Sequence, residues 1–266
     1  MEENPSSETC CSTQLQEKWL GIQDKLKKKL IMVEEEQTED EWHEKLEFVG
    51  GVDLSFSKED PSIACGTLVV LDLHNLNVVY EDSSIVKLDV PYIPGFLAFR
   101  EAPVLLELLE KMKKCSHPFY PHLLMVDGNG ILHPRGFGLA CHLGVLSDLP
   151  TVGIGKNLHH VDGLSLAKVR HLLEVEENSS LDVFTLIGDS GYTYGAAIRS
   201  TQGSLKPIFV SVGHRVSLST AIKVVKTTCR FRIPEPIRQA DIRSKQKLSS
   251  VCCKVRRLLN TGTPGF

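Results

Sequence analysis

The sequence predicts an α/β protein with a mixed β-sheet flanked by helices on both faces. Three short apolar segments separated by turn residues lie in the first third of the chain and are typical of an antiparallel meander. Helical patterns and short apolar strands then alternate, which is typical of βαβ units. In this topology the fourth strand commonly joins the sheet beside the first. The chain has 266 residues, of which 42% are hydrophobic, so it can bury a large core as one domain or as two small ones.

The N-terminal part of the chain is polar, and residues 1–13 are predicted to be disordered. Residues 14–33 predict an amphipathic helix, because apolar residues recur at steps of three and four. These apolar positions are Leu15, Trp19, Ile22, Leu26, Leu30 and Val33. Residues 34–47 hold eight acids and one lysine, so a surface helix or linker is expected there. We predict one domain over residues 14–250 and a flexible basic tail over 251–266.

Strands are predicted where short apolar runs are bounded by turn residues. They cover residues 48–56, 65–73, 78–80 with 84–88 as an extension, 123–126, 151–154, 184–187, 196–199 and 208–212.

Helices are predicted where apolar residues repeat with helical spacing. They begin near Ala102, at Phe137, at Leu166, at Leu218 and after residues 234–236. Ser217 is the expected N-cap of the helix at 218–228. The start near Ala102 follows from Pro103, which is tolerated best in a first helical turn. Glu101 is therefore expected at the N-terminus of its helix.

A proline-rich loop precedes that helix. Pro91 and Pro94 restrict its backbone, and Tyr92 and Ile93 are expected to point outward. The loop is therefore a rigid, exposed feature beside Glu101.

The segment around Asp127 is the organising element of the chain. The buried strand 123–126 leads directly into Asp127, Gly128, Asn129 and Gly130, and a helix follows. Ligands of α/β proteins bind at the carboxyl ends of such strands. The two glycines have no Cβ, so a ligand could lie against their backbone. The alternative is an aspartate that simply begins a βα turn.

A second carboxylate, Asp53, lies on the first predicted strand. If the fourth strand pairs with the first, Asp53 and Asp127 come together. Clustered carboxylates repel one another, and a bound Mg²⁺ or Mn²⁺ removes that repulsion. Such an ion activates water for displacement at phosphorus. Asp53, Glu101 and Asp127 are thus candidate acids of a metal-dependent phosphodiesterase.

Lys156 and His214 also follow or end predicted strands, so both could reach the same rim. Lys156 could neutralise negative charge that develops on a phosphate. His214 could contact a metal, a water or a phosphate. The alternative for each is an ordinary surface residue.

Charge is unevenly distributed along the chain. Residues 206–266 hold thirteen Lys and Arg but two acids, although the whole chain has a net charge of −3. A basic C-terminal part indicates a polyanion partner such as nucleic acid. The alternative is a solvated basic surface without a partner.

The eight cysteines form no C-x-x-C pair, and no apolar run is long enough to span a membrane. The N-terminus shows no signal-peptide pattern. These features predict reduced thiols in an intracellular protein that does not enter a membrane.

Five segments resemble motifs of the endonuclease V family, whose members are inosine-directed nucleases with an RNase H-like fold. They are VGGVDLSF (49–56), PYIPGFLAFREAP (91–103), VDGNGILHPRGFGLACHLG (126–144), SVGH (211–214) and FRIPEPIRQAD (231–241). The resemblance covers about residues 46–245 and is closest to the metazoan members.

The resemblance implies a role for each candidate residue. It implies that Asp53, Glu101 and Asp127 are the acidic set that binds the metal, with Lys156 and His214 as assistants. It implies that the loop 91–94 separates the target base from its neighbours and that the base lies near Leu97, Gly128 and Gly130. The loop residues are Pro91, Tyr92, Ile93 and Pro94. Asp241 matches a family acid, which implies that it is an outer residue of the site.

The resemblance also implies the reaction. Members hydrolyse the second phosphodiester bond 3′ to inosine and leave 3′-hydroxyl and 5′-phosphate ends. Bacterial members act on deaminated DNA, as in DNA repair, and metazoan members prefer single-stranded RNA containing inosine. For this chain we expect Mg²⁺, with Mn²⁺ as a substitute, inosine-containing RNA and deoxyinosine DNA as partners, a monomer, and a cytoplasmic and nuclear or nucleolar location.

Two alternatives to this function stay open. One is another RNase H-like enzyme, such as a structure-specific DNA nuclease, although the loop 91–94 and the glycines would then have no role. The other is an RNA-binding protein that recognises inosine without cutting. Loss of an acid would mark such a protein, yet Asp53, Glu101 and Asp127 are all present.

Overall fold

The described strands form one β-sheet that contains both parallel and antiparallel pairs. The computed structural model describes residues 7–33, 46–175, 183–201 and 206–260. Within these ranges the strands lie in the order β3-β2-β1-β4-β5-β8-β7-β6. They are β1 (Phe48–Phe56), β2 (Ile63–Asp72), β3 (Val78–Lys87), β4 (Leu123–Asp127), β5 (Thr151–Gly155), β6 (Val183–Ile187), β7 (Thr193–Ile198) and β8 (Ile208–His214).

Helices cover both faces of this sheet, as predicted. The described helices are α1 (Ser7–Lys27), α2 (Leu97–Lys114), α3 (Leu139–Ser147), α4 (Leu166–Val175), α5 (Leu218–Thr228) and α6 (Glu235–Asn260). Helices α2 and α3 pack on one face of β1, β2 and β4. Helices α5 and α6 pack on the opposite face, and α4 covers part of β6, β7 and β8. No helix in the described ranges combines the length and apolar character needed to cross a membrane.

The centre of the sheet carries the feature that positions the site. Strands β1, β4 and β5 run parallel, and Val52 pairs with Val126. The next residues on the two strands are Asp53 and Asp127. The prediction that the fourth strand lies beside the first is therefore confirmed. The remaining neighbours pair antiparallel.

Most predicted elements are confirmed, and the bounds of β1 and α5 agree with the predicted bounds. The Ser217 hydroxyl accepts a hydrogen bond from the Thr220 N–H, as expected of an N-cap. The two predicted strand pieces at 78–80 and 84–88 form the continuous strand β3.

The predicted start of α2 near Ala102 is wrong. The helix begins at Leu97 and contains Pro103, which leaves one helical carbonyl without its donor. An aromatic cluster stabilises the early turn, because Trp19 stacks on Phe99 at 5.0 Å between ring centroids. Glu101 therefore lies in the second turn of α2 and not at its N-terminus.

The terminal helices also differ from expectation. Helix α1 begins at Ser7 and ends at Lys27, so residues 7–13 are helical rather than disordered and the helix stops before residue 33. Helix α6 continues to Asn260, beyond the predicted domain end at 250. The acidic residues 34–45 and the tail residues 261–266 lie outside the described part of the chain.

Candidate active site

Asp53 and Asp127 lie side by side, with Asp53 in the second half of β1 and Asp127 at the carboxyl end of β4. Neighbouring strands are about 4.8 Å apart, so two carboxylates at one register position interact directly. Asp53 is 6% exposed. Its burial, and then the charge of Asp127, raises the pKa of Asp53 to about 6. The sequence prediction that these two acids meet is therefore confirmed.

Glu101 approaches the pair from helix α2. Its side chain is buried, and burial raises its pKa to about 8, with further contributions from Asp53 and Asp127. Arg100 beside it opposes this shift. The three predicted acids therefore form one electrostatic cluster.

Lys156 is a cation in direct contact with this cluster. It follows β5, and its Nζ lies 2.5 Å from Asp127 Oδ2. Although partial burial opposes the change, Asp127 raises the pKa of Lys156. The backbone carbonyl of Lys156 accepts a hydrogen bond from the Arg232 guanidinium at 3.2 Å. The structure thus places Lys156 as predicted and adds Arg232 as a residue that holds its backbone.

Helix α6 contributes two residues to the site. Asp241 is close enough for its charge to act on both Asp53 and Lys156; it also forms an ion pair with Lys245 at 2.6 Å. Ser244, one turn later, lies 2.9 Å from Asp53 Oδ2. Ser55 on β1 lies 2.9 Å from the same oxygen. Asp241 was predicted as an outer residue of the site, whereas neither serine was predicted.

His214 does not belong to this cluster, and the prediction that it reaches the same rim as the acids is wrong. Strand β8 runs antiparallel to β5, so its last residue, His214, pairs with Thr151 at the first residue of β5. That point is about 13 Å from the carboxyl end of β5 at roughly 3.3 Å per residue. The ring is 2% exposed, and its Nδ1 accepts a hydrogen bond from the Ile31 N–H at 3.2 Å. His214 therefore anchors the segment after α1.

The loop before α2 has the rigid form that its prolines predict. The Phe96 N–H donates to the Ile93 carbonyl at 3.0 Å, and Gly95 has a φ of +83°. These values define a type II turn with Pro94 and Gly95 at its centre. Tyr92 before the turn is 62% exposed. Pro91 is also exposed, and Leu97 is half-buried where α2 begins.

Helix α1 supports this loop, which gives the N-terminal helix a structural role. Its buried Gln23 donates to the carbonyl of Phe137 at 2.9 Å and to that of Gly95 at 3.4 Å. Trp19 packs 6.1 Å from Phe96. Helix α1 therefore ties the proline loop to the loop that follows β4.

Gly130 has a different role from the one predicted. It is buried, its N–H donates to the Ser211 hydroxyl at 2.8 Å, and its carbonyl accepts from the Gly138 N–H at 3.0 Å. A Cβ would lie 2.0 Å from the Val212 carbonyl oxygen. Close packing on β8 therefore requires this glycine, and its main chain is not available to a base. Gly128 is half-buried, and its contact with a base stays a prediction.

The acidic cluster fits a divalent cation. Asp127 is close enough to raise the pKa of both Asp53 and Glu101, and carboxylate oxygens are the ligands that Mg²⁺ prefers. Among the described residues, no group of three or more His, Cys, Asp and Glu is placed to hold a metal by itself. Mg²⁺ needs no such group, because it commonly takes one or two carboxylates together with waters and substrate phosphates. The adjacent pair Asp53 and Asp127 meets this requirement, and Glu101 as a third direct ligand stays a prediction.

The metal-free protein should lose stability as the pH rises from about 4 to about 8. Asp53 and Glu101 have folded-state pKa values of about 6 and about 8, above their ordinary values of 3.8 and 4.5. In this window the folded state binds more protons than the unfolded state, so stability falls with rising pH. Each pKa unit of difference between the folded and unfolded states changes the free energy of unfolding by about 1.4 kcal/mol. A change of this size shifts the Tm of a chain of this length by about 2–4 °C.

Thermal unfolding in EDTA between pH 5 and pH 8 measures this effect. Glu101→Gln removes one buried carboxyl that titrates in this range and should flatten the decline. Glu107→Gln changes an exposed glutamate on the same helix and should follow the wild type. A Glu101→Gln profile as steep as that of the wild type would contradict the assignment of the buried charge.

The comparisons with known proteins agree with this geometry. The model of the endonuclease V family matches residues 26–242. Mouse endonuclease V is 49% identical over 229 residues, with 86% of this chain and 68% of the relative covered. Human endonuclease V is 52% identical over 208 residues, with 76% and 72% covered.

Solved structures show the same fold. The catalytic domain of human endonuclease V superposes with a TM-score of 0.81 at 44% identity, covering 93% of this chain and 99% of that one. Endonuclease V of Ciona intestinalis, in complex with a 24mer DNA containing an inosine followed by a ribo-adenosine, gives 0.83 at 33% identity, covering 90% and 99%.

The fold and the strand-end carboxylates therefore define an RNase H-like protein of the nuclease class. The match to the family model and the identity to the mouse and human proteins narrow this class to a single family. The chain belongs to the endonuclease V family.

Proposed function

We propose that this chain is a metal-dependent endonuclease that cuts nucleic acid containing inosine, with single-stranded RNA as the preferred substrate and deoxyinosine DNA as a second one. It cuts the second phosphodiester bond 3′ to inosine and leaves 3′-hydroxyl and 5′-phosphate ends. The observation that carries the proposal is the pair of adjacent carboxylates beside a rigid loop with an exposed tyrosine. The Ciona relative, crystallised with inosine-containing DNA, supports inosine as the target.

The proposed chemistry uses the acids and Lys156 together. Asp53 and Asp127 would hold Mg²⁺ or Mn²⁺, which when bound polarises the phosphate and activates a water. Lys156 lies beside Asp127 and can stabilise negative charge on the phosphate. Glu101, which is buried beside the two aspartates, can exchange a proton at the rim.

The proposed recognition of the base uses the loop before α2. A base must leave its stack to be read, and unstacking requires a compensating contact. The Tyr92 ring is exposed on a turn fixed by Pro94 and Gly95, so it can replace the lost stacking without reordering the loop. Leu97 and Gly128 lie next to this loop and the acids, respectively, and are proposed to border the base.

Cleavage of four matched oligonucleotides tests the function. They are single-stranded RNA and DNA, each with one inosine or with adenosine at that position, incubated with Mg²⁺ or EDTA. We expect one cut in the inosine RNA at the second bond on its 3′ side, slower cutting of the DNA, and none with adenosine or EDTA. Equal cutting of the adenosine strands would contradict the proposal. Tight binding without cutting would favour a non-catalytic inosine reader.

The setting of the proposed reaction is intracellular. Among the described residues, Cys65, Cys115, Cys141 and Cys229 are free thiols, as expected in a reducing compartment. We propose cytoplasmic and nuclear, including nucleolar, sites of action. One chain supplies all the site residues described above, so we also propose that a monomer is sufficient.

His214→Ala should impair stability rather than cleavage. The substitution removes the buried acceptor of the Ile31 N–H, which should destabilise the fold by about 1–3 kcal/mol. The single-turnover cleavage rate, measured well below the Tm, should stay close to that of the wild type. A folded His214→Ala protein with a rate reduced by more than about 100-fold, an effect as large as loss of a catalytic group, would return His214 to the mechanism.

A further inference from the structure

Two buried serine hydroxyls meet on one oxygen of Asp53. Ser55 and Ser244 each place Oγ 2.9 Å from Asp53 Oδ2, and the two Oγ atoms lie 2.7 Å apart. Ser55 is 8% exposed and Ser244 is fully buried. Within the described part of the chain, no hydrogen bond reaches the other oxygen, Oδ1. The carboxylate is therefore held at one oxygen and open at the other.

Close packing of α6 on β1 brings Ser244 to this position. A Cβ on Gly51 would lie 2.2 Å from the backbone carbon and oxygen of Pro236, so the helix rests directly on the strand. Every second residue of a strand faces the same side of the sheet, so one face of β1 carries Gly51, Asp53 and Ser55. From Pro236 to Ser244 the helix rises about 12 Å, and from Gly51 to Ser55 the strand advances about 13 Å. The helix therefore delivers Ser244 beside Asp53 and Ser55.

A purely local role does not account for the Ser244 contacts. Its hydroxyl also lies 2.9 Å from the Asp241 carbonyl, and a helical serine can satisfy itself with such a carbonyl alone. The contact with Asp53 links residues 191 positions apart and fixes a carboxylate that would otherwise rotate about its last side-chain bond.

We infer that Ser244, together with Ser55, is a positioning residue that holds Asp53 through Oδ2 and presents Oδ1, beside Asp127, to the divalent cation. This inference rests on the proposed function. Partners that orient a metal-binding group commonly change affinity by 10–100-fold when they are removed. The serines thus act through Asp53 and contact neither the substrate nor the cation.

Binding of Mn²⁺ alone, followed by electron paramagnetic resonance of the free ion, tests this role. Ser244→Ala and Ser55→Ala should each raise the Mn²⁺ Kd about tenfold. Ser55→Thr keeps a hydroxyl in a strand that accepts β-branched residues and should bind close to the wild type. Ser147→Ala is the matched control, because Ser147 is a buried helical serine whose hydroxyl donates to the Leu143 carbonyl at 2.7 Å. It should leave the Kd unchanged.

The outcomes separate this inference from the proposed function. If Asp53→Asn abolishes Mn²⁺ binding while both serine-to-alanine variants bind like the wild type, the positioning role is wrong and the metal site stands. If the wild type and Asp53→Asn bind Mn²⁺ equally, the metal site is wrong and the inference falls with it. Should Ser244→Ala fail to fold, Ser55→Ala decides the question, since it removes a hydroxyl from the same oxygen without changing α6.

Discussion

Asp53→Asn is expected to reduce cleavage of an inosine-containing strand by about 10³-fold while strand binding changes little. Asparagine has nearly the same shape but carries no charge, so the pair with Asp127 loses half of its attraction for a cation. Metal catalysis supplies several kcal/mol of transition-state stabilisation, and each 1.36 kcal/mol is tenfold in rate. The base-binding loop is untouched, so the substrate should still bind.

Single-turnover cleavage and fluorescence anisotropy measure the two effects on the same labelled strand. Asp189→Asn is the control, because Asp189 is an exposed aspartate in the turn between β6 and β7, where it pairs with Lys168. A folded Asp53→Asn protein that cleaves at the wild-type rate would remove Asp53 from the mechanism. Loss of binding and cleavage together would instead make Asp53 a substrate-binding residue.

Tyr92→Ala is expected to lower cleavage of the inosine strand by about 10–100-fold and to weaken its discrimination from adenosine. Stacking of a base on an aromatic ring is worth about 1–3 kcal/mol, and alanine removes it. Because the ring is 62% exposed, its loss should leave stability and Mn²⁺ binding unchanged.

The kcat/KM for the inosine strand and the ratio of Kd for inosine and adenosine strands, measured by fluorescence anisotropy, test the tyrosine directly. Tyr92→Phe keeps the ring and should remain close to the wild type. Phe231→Ala is the matched control, since Phe231 is a 55% exposed aromatic residue in another loop. An unchanged ratio in Tyr92→Ala would show that the loop does not separate the base from its neighbours.

The sequence predicted the central strands and the main acids because their signals are local. The run 48–56 is apolar and bounded, and its strand agrees with the prediction. Asp53 and Asp127 each follow a buried strand residue, and one topology rule places β4 beside β1. The turn at Pro94 and Gly95 is likewise encoded by two residues whose backbone preferences fit a single turn type.

The errors arose where strand direction or packing between distant segments decides. His214 ends a strand as Asp127 does, but β8 runs antiparallel to β5. The two residues therefore lie at opposite ends of the central strands. Gly130 was predicted to contact the base, yet the carbonyl of Val212 fills the space beside it. Ser244 gave no signal, because a serine in a helix shows its partner only once α6 is placed on β1.

One measurement tests the central claim most directly: single-turnover cleavage of one labelled single-stranded RNA with a single inosine, in Mg²⁺, by the wild type and Asp127→Asn. The account predicts one product in the wild type, and loss of that product in EDTA, with the adenosine strand and in Asp127→Asn. Cleavage by Asp127→Asn at the wild-type rate would show that the pair of Asp53 and Asp127 is not the catalytic centre.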